Sequence, residues 1–308
     1  MTIDAARPVL ARHDPRQAAI LAVFGMVCLS FIDNFVPVIA RDVGLWQFHA
    51  TRSAMVLAAL LPIALIMGWR LQVRSWRAVA WRSFCISFAM MLYFGAVASL
   101  PVAQVAAGLL TSPIFVLLIS WGFYGAPIGR WRVLAVVLGF AGVMLVLRPS
   151  GGDVTALNFI PIGAGFLYAL GAVATRQYCA GESEAVLVAA FFAASGIWGA
   201  LGLIALSGTV TDPVVNGFFG TGLQPWTQSA FLWTVGQAIM SVIGLGALFR
   251  AYLLAEASHV AVFEYSFLIA AGIWGYVLWG QVPDALALLG MACIIGAGIV
   301  IIKRSGAA

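Results

Sequence analysis

The sequence predicts an all-α integral membrane protein in which ten transmembrane helices form two inverted five-helix repeats around a central cavity. The first observation is composition, because 63% of the residues are apolar and 9% are charged, whereas soluble domains carry roughly 25% charge. The second is that apolar stretches of about 20 residues, enough to cross ~30 Å of hydrocarbon, recur along the whole chain. The third is that the stretch 101–151 matches the stretch 256–306 in its pattern. Together these observations favour a polytopic membrane protein built from a duplicated unit.

The ten predicted spans follow one another with mostly short connections. Residues 1–16 form a polar N-terminal segment, and the apolar run behind Arg16 continues for a full span, so we do not expect a cleaved signal peptide. The connection 207–228 is the longest, and it is the candidate for a lid or an interfacial loop. The spans are placed near residues 17–39, 45–68, 78–99, 101–123, 131–148, 156–177, 185–207, 228–254, 258–280 and 283–303.

A shift of 155 residues aligns the end of the first half of the chain with the end of the second. Each copy holds two apolar spans, a short turn with a glycine, and a cationic end. We therefore divide the chain into a first repeat at 17–151 and a second at 152–308. Since five spans are an odd number, the second repeat must enter the membrane in the opposite orientation. The aligned pairs include Val105 with Val260, Ala106 with Ala261, Gly125 with Gly280 and Leu134 with Leu289.

Pro113 predicts a break near the middle of the fourth span, because proline has no N–H to donate and its ring disturbs the preceding turn. Broken spans in transporters often lie at substrate sites. The aligned residue in the second copy is Leu268. The two halves are therefore expected to differ at this position.

The cations are distributed unevenly between the two sides of the predicted bundle. Arg41 and Arg148 lie on the side of the long connection, while the polar N-terminal segment and Lys303 lie on the other side with most of the arginines. Positive residues mark the cytoplasmic side. We therefore expect both termini in the cytoplasm, the connection 207–228 in the periplasm, and a multi-pass protein of the bacterial inner membrane.

Several short motifs carry a resemblance to a known family. They are the run ASLPVAQVA at 98–106, the pair Ser112-Pro113, the run GFAGV at 139–143 and the run FEY at 263–265. With them the chain resembles the ten-helix EamA-type branch of the drug/metabolite transporter superfamily over nearly its whole length. The resemblance implies a secondary transporter, commonly an exporter of amino acids or related metabolites. It also implies a cavity lined by spans one to four and six to nine, with spans five and ten at the periphery.

Four ionisable residues stand out within the predicted spans, where a charge costs on the order of 2.5–3.5 kcal/mol at mid-bilayer. Asp33 and Arg52 are predicted at matching depth, about two turns from the periplasmic end. They form either a structural ion pair or a charge pair that faces substrate. Glu264 and Arg82 are predicted at a similar depth on the cytoplasmic side, as a gate, as part of the pathway or as a static pair. A carboxylate whose burial changes during transport could exchange protons, so Glu264 is the candidate for proton coupling.

Uncharged polar side chains form stripes at helical spacing, and a substrate in the cavity would contact them. Packing between helices accounts for small hydroxyl residues equally well. A buried amide facing lipid would be costly, so Gln104 and Gln237 favour a wet cavity. The candidate cavity-lining residues, with the charged ones included, are Ser30, Asp33, Asn34, Ser87, Tyr93, Gln104, Thr111, Ser112, Tyr168, Gln237, Ser241, Glu264 and Tyr265.

The predicted function is secondary transport of small metabolites, with export of amino acids by alternating access as the first hypothesis. A larger metabolite, such as a nucleotide-like cofactor or a vitamin, is the alternative, and a lipid flippase or membrane enzyme is a weaker one. ATP-binding loops and hydrolase motifs are missing from the sequence, so we expect neither catalysis nor a cofactor. The arginines lie between apolar runs, which argues against nucleic acid binding. The expected partners are a small-molecule substrate, the lipid bilayer and protons, and the protein is either a monomer or a homodimer.

Overall fold

The computed structural model describes residues 14–66, 71–97, 105, 108–125, 129–147, 159–209, 211–280, 282 and 284–304. Every regular element within these residues is a helix. In chain order they are α1 (Pro15–Asp33), α2 (Val36–Ile39), α3 (Leu45–Ile66), α4 (Trp76–Val97), α5 (Ser112–Tyr124), α6 (Arg130–Leu147), α7 (Ile160–Tyr178), α8 (Glu184–Ala205), α9 (Pro213–Gly220), α10 (Gln228–Leu254), α11 (Ala257–Glu264), α12 (Ser266–Trp279) and α13 (Ala285–Arg304).

The helices follow the predicted spans, and the all-α membrane fold is confirmed. By length and composition alone, five helical segments of the described chain could cross a bilayer, and Ser112–Tyr124 and Leu288–Ala297 are shorter apolar helices. The remaining predicted spans correspond to α3, α6 and α7. The five long segments are Pro15–Ile39, Trp76–Ala96, Glu184–Ala205, Gln228–Leu254 and Ala257–Leu278.

The helices pair across the bundle as two inverted halves require. In the predicted numbering of spans, the first packs along the eighth, as α1 on α10, and the third packs along the sixth, as α4 on α7. A two-fold rotation that relates the two halves would place the first span on the sixth and the eighth on the third. It therefore converts one of these pairs into the other. The second and seventh spans pair as α3 and α8, and the fifth and tenth pair as α6 and α13. Both of these pairs map onto themselves under the same rotation.

The break expected in the fourth span has a counterpart in the ninth, so the prediction that the halves differ near Leu268 was wrong. In the fourth span the chain turns at Thr111 before α5 begins, and in the ninth it turns at Tyr265 between α11 and α12. The hydroxyls of Thr111 and Ser266 each donate to the carbonyl three residues earlier, at 2.6 Å in both cases. These two hydroxyl residues are aligned by the 155-residue shift. A hydroxyl that bonds back to its own turn therefore marks the break in both halves, whereas proline does so in one.

The glycine turns of the two copies also have the same geometry. Gly125 ends α5 with φ 59°, and Gly280 ends α12 with φ 66°. This left-handed conformation is unfavourable for residues with a Cβ, and it lets the glycine N–H bond back to the last turn of the helix. Each turn then leads into the last helix of its half.

The connection predicted as a lid or an interfacial loop contains α9 and lies at one end of the bundle, here called the loop face. The indole Nε1 of Trp46 donates to the carbonyl of Phe219 at 2.9 Å. The amide of Gln47 donates to the carbonyl of Gln224 and accepts from its backbone N–H, both at 2.8 Å. The connection is therefore attached by hydrogen bonds to the first turn of α3. The opposite end of the bundle, where α1 begins and α13 ends, is here called the terminal face.

A backbone contact between α1 and α10 sets the position of the polar residues farther along both helices. A Cβ built on Gly25 would lie 2.6 Å from the carbonyl oxygen of Gly244. The two helices run in opposite directions, so two turns farther toward the loop face this contact places Asp33 of α1 beside Gln237 of α10.

We expect Gly25→Ala to destabilise the protein, because the added methyl must move the backbone of α10. Overpacking of this kind costs about 1–3 kcal/mol, against a gain of at most about 1 kcal/mol from the better helix propensity of alanine. Gly246→Ala on α10 is the matched control, since a Cβ there meets no atom within 4 Å. Thermal unfolding of both purified variants in detergent tests this. Equal unfolding temperatures for the two variants would contradict the close contact.

Candidate functional site

A cavity lies between the two halves of the bundle. Its lining comes from α1, α3, α4, the residues just before α5, the start of α5, and α7, α8, α10, α11 and α12. Among the described residues, α6 and α13 contribute nothing to it, so the fifth and tenth spans lie at the periphery. The cavity volume is about 110 Å³, below the roughly 300–1,000 Å³ of pockets that hold drug-sized ligands. The structure is therefore a compact state that must widen to admit a metabolite of that size.

The lining combines an apolar wall with a few polar groups. The wall consists mainly of leucine, methionine and phenylalanine side chains from both halves. Among the described residues, three charged ones line the cavity, namely Asp33, Arg52 and Glu264. Four hydroxyl groups join them, from Tyr93, Ser112, Tyr168 and Ser241. Seven of the residues predicted from the sequence therefore share this one cavity.

Asp33 and Arg52 are joined through the side chain of Gln237. The amide nitrogen of Gln237 donates to Asp33 Oδ1 at 3.1 Å, and its oxygen accepts from Arg52 Nη1 at 3.3 Å. The sequence predicted an ion pair between the aspartate and the arginine, and the structure places a third residue between them. The reason is that α10 packs against both α1 and α3. Counting depth along two helices could not show that a third helix intervenes.

Arg52 is buried among aromatic rings near the loop face. Its guanidinium lies 4.8 Å from the ring centre of Phe48 and 5.5 Å from that of Phe192. Nη2 is 3.2 Å from Nδ1 of His49. Nε is buried and has no hydrogen-bond partner among the described residues. Within the described residues this N–H is therefore a buried donor that is left unsatisfied in the compact state.

Glu264 forms a second polar cluster, nearer the terminal face. Its Oε1 accepts from the hydroxyls of Tyr252 at 2.6 Å and Tyr168 at 3.0 Å. The three residues come from α11, α10 and α7, so one carboxylate oxygen joins three helices. Sequence reasoning missed Tyr252. Helical spacing in the sequence could have identified it, because Tyr252 follows the predicted cavity residue Ser241 by about three turns on the same face of α10.

Arg82 is not the partner of Glu264, contrary to the sequence expectation. Its Nε donates to Thr175 Oγ1 at 3.0 Å and its Nη1 to the carbonyl of Leu187 at 2.8 Å. The guanidinium also lies 3.8 Å from the ring centre of Phe249. Equal depth in the membrane does not determine the direction of a side chain, and Arg82 points toward α7 and α8. It ties the first half of the bundle to the second.

The other predicted residues contact their own helices or neighbouring ones. The side chains of Ser30, Asn34, Ser87 and Thr111 donate to backbone carbonyls three or four residues earlier. Tyr265 is buried against α6, where a Cβ added to Gly139 would lie 2.4 Å from its ring. Packing between and within helices therefore accounts for these residues in this state. Gln104 lies outside the described residues.

The two polar clusters give the cavity two chemically different ends. Asp33 and Arg52 supply an acceptor and a cation about two turns below the loop face. Gln237, which the sequence predicted in the lining, is fully buried outside it and bridges the two. Glu264 supplies a carboxylate held by two phenol groups, about two turns from the terminal face. Between them lies the apolar wall. A solute with a polar, charged head and an apolar body would match this arrangement.

Comparisons with known proteins agree with this architecture. The family model for EamA-like transporters matches residues 16–148. A riboflavin transporter of Vibrio cholerae is 24% identical over 290 residues, covering 92% of this chain and 92% of that protein. A pseudopaline exporter of Pseudomonas aeruginosa is 30% identical over 214 residues, covering 68% of this chain and 69% of that protein. A crystal structure with 17% identity shares the fold, with a TM-score of 0.76 over 92% of this chain and 96% of the other.

We expect Arg52→Met to destabilise the protein strongly, because it leaves Asp33 buried without a cation nearby. Removing one member of a buried charged pair costs about 3–5 kcal/mol. Arg250→Met is the matched control, since Arg250 forms an ion pair with Glu184 at 2.7 Å in which the arginine side chain is 46% exposed. Loss of such an exposed pair costs less than about 1 kcal/mol. Thermal unfolding and folded yield in detergent measure both, and similar losses for the two variants would show that the Asp33 cluster does not need its cation.

Proposed function

We propose that this chain, which belongs to the EamA-like transporter family of the drug/metabolite transporter superfamily, carries a small amphipathic metabolite across the bacterial inner membrane. The observation that supports this most directly is the cavity between the two halves. It joins an apolar wall to charged groups at both ends, which is unsuited to an inorganic ion or to a wholly apolar solute. Transport then proceeds by alternating access, in which the two inverted halves open the same cavity first to one side and then to the other.

The first candidate substrates are amino acids and related metabolites, moved outward. The family resemblance supports this class, and the relative named as a pseudopaline exporter supports the outward direction. The cavity supports it independently, because Asp33 and Arg52 offer opposite charges to a solute that carries an amine and a carboxylate. The leucine, methionine and phenylalanine wall suits an apolar side chain.

A vitamin-sized solute is the second candidate. The relative named as a riboflavin transporter covers nearly the whole chain, which favours this alternative. The cavity lining also includes the aromatic rings of Tyr93, Phe94, Tyr168, Phe191 and Phe267, and aromatic rings are favourable partners for a flat ring system. In the compact state the cavity is too small for such a solute, so this candidate requires a wider opening than an amino acid does.

Glu264 is the candidate site for proton coupling. Its carboxylate lines the cavity and accepts two hydrogen bonds from tyrosines on other helices. When the cavity opens, water and substrate reach a group that is enclosed in the compact state. A carboxylate in two such environments can bind a proton in one and release it in the other. The proton gradient would then drive the cycle.

Transport into proteoliposomes tests the proposal. The panel consists of radiolabelled L-leucine, L-methionine, L-phenylalanine and riboflavin, each assayed with and without an imposed pH gradient. We expect at least one of these solutes to cross faster than in protein-free liposomes, and the gradient to accelerate it. If none crosses faster than in protein-free liposomes under either condition, the proposal is overturned.

The same assay with Glu264→Gln tests the coupling step, because glutamine keeps the size and the hydrogen-bonding capacity but not the titratable proton. We expect this variant to fold and to lose the acceleration by the gradient. Glu184→Gln is the matched control, since that carboxylate lies in an ion pair on the surface. Equal acceleration of the wild type and of Glu264→Gln would exclude Glu264 as the coupling group.

A further inference from the structure

A groove on the outside of the bundle runs between α3, α8 and α10 and ends close to the terminal face. Its volume is about 530 Å³, larger than that of the cavity between the halves. An ion pair between Arg250 and Glu184 lies at its end. We propose that the groove binds one molecule of phosphatidylethanolamine, with an acyl chain along the helices and the headgroup at this ion pair.

The groove and the cavity lie on opposite sides of α10. The cavity is lined by Ser241, Leu245 and Leu248 of this helix. The groove is lined by Val242, Ile243, Gly246, Ala247 and Arg250. At 3.6 residues per turn these two sets form separate stripes on the helix. The groove shares no lining residue with the cavity, so it is a separate site outside the proposed transport route.

The two-fold relation between the halves gives the groove a counterpart at the loop face, where protein fills it. The rotation exchanges α3 with α8 and α4 with α10, so the counterpart lies between the start of α3 and the end of α4. Phe219 of α9 occupies that place. Its ring centre lies 5.1 Å from that of Trp46, and a Cβ added to Gly95 would lie 3.0 Å from its ring.

The equivalent space at the terminal face is open. A Cβ added to Gly246 meets no atom of the described part of the chain within 4 Å. The connection that supplies Phe219 lies between α8 and α10, on the loop face, and the groove is at the other end of these helices. An apolar group from outside the chain can therefore take the position that Phe219 takes in the other half.

The walls of the groove suit an acyl chain. Leu60, Val188, Val242 and Ile243 supply aliphatic side chains. Val242 lies about two turns from Arg250, so the apolar part extends about 12 Å along α10 from the ion pair. Lipid tails are as apolar as leucine, so a chain in the groove gains from close packing rather than from leaving water. The headgroup must therefore supply the selectivity.

The ion pair offers both charges to a headgroup. Nη1 of Arg250 lies 2.7 Å from Oε1 of Glu184, and the two side chains are 46% and 35% exposed. A guanidinium has five N–H donors and a carboxylate accepts several hydrogen bonds, so each can bind a lipid group while the pair stays intact. A phosphate accepts from the arginine, and the primary ammonium of ethanolamine donates to the glutamate.

Other common phospholipids match this pair less well. Phosphatidylglycerol has the phosphate but no ammonium, and its negative charge lies close to Glu184 without compensation. Phosphatidylcholine has the positive charge, but its trimethylated nitrogen has no N–H to donate. The chemistry of the pair therefore favours a headgroup that carries both a phosphate and a primary ammonium.

Native mass spectrometry of the purified protein in detergent tests the proposal. The probes are phosphatidylethanolamine, phosphatidylglycerol and phosphatidylcholine with identical acyl chains, titrated separately. We expect the dissociation constant of the first lipid to be at least about fivefold lower than those of the other two, because both of its charged groups find a partner. Equal dissociation constants for the three lipids would indicate unselective lipid around the helices and overturn the proposal.

Gly246→Phe tests the location, because the added ring enters the open groove and occupies the space of the acyl chain. Gly122→Phe on α5 is the matched control, since Gly122 is exposed and a Cβ there also meets no atom within 4 Å. We expect Gly246→Phe to lose the preference for phosphatidylethanolamine and Gly122→Phe to keep it. If both variants keep the preference, the lipid binds elsewhere and the assignment to the groove is wrong.

Glu184→Gln tests the headgroup contact, because it removes the negative charge with little change in size. We expect phosphatidylethanolamine and phosphatidylglycerol to bind this variant equally. A preference as large as that of the wild type would contradict the contact between the glutamate and the ammonium. The selectivity of the wild type decides the question even if a variant fails to fold. It is also independent of the transport assay, since the groove and the cavity are separate sites.

Discussion

The cost of burying charge among apolar helices is the constraint on which this structure depends. Each charged side chain inside the bundle has to find polar partners, and most of these partners lie on the other half of the chain. Arg52 of the first half bonds to Gln237 of the second, and Arg82 bonds to Thr175 and to the carbonyl of Leu187. The polar contacts are therefore concentrated at the interface between the halves, which is also where the cavity lies. Under the proposed mechanism, the bonds that stabilise the compact state are also those that rearrange when the cavity opens.

The two halves share their backbone geometry but not their chemistry. Gly125 and Gly280 form the same turn, and Thr111 and Ser266 mark the same break. The charged residues do not follow the repeat. The first half contributes Asp33, Arg52 and Arg82 to the interior, while the second contributes Glu264 with its two tyrosines. A symmetric framework thus surrounds an asymmetric site, so the two ends of the cavity can make different contacts with one solute.

The sequence was sufficient to predict the spans and the matching of the two halves, because both depend on apolar length and on residues that recur at a fixed shift. It also identified the charged residues of the cavity, since a charge inside an apolar span is costly and faces the bundle interior or a wet cavity rather than lipid. It could not identify the partner of each charge. That depends on the rotation of each helix and on which third helix lies between two others. Gln237 between Asp33 and Arg52, and Tyr252 beside Glu264, are both consequences of how α10 packs. The break at Tyr265 was missed because the prediction relied on proline, while the feature common to both halves is a hydroxyl group.

In the transport cycle that we propose, one cavity between the halves opens in turn to each side of the membrane. Ser241 lines this cavity on α10, and cysteine is close to serine in size. The direct measurement is the reaction of Ser241→Cys with a membrane-impermeant thiol reagent applied to one side at a time, in a protein whose four native cysteines are replaced. We expect reaction from both sides, and an excess of a transported solute on one side should raise reactivity from one face while lowering it from the other. Reaction from a single side under every condition would contradict it.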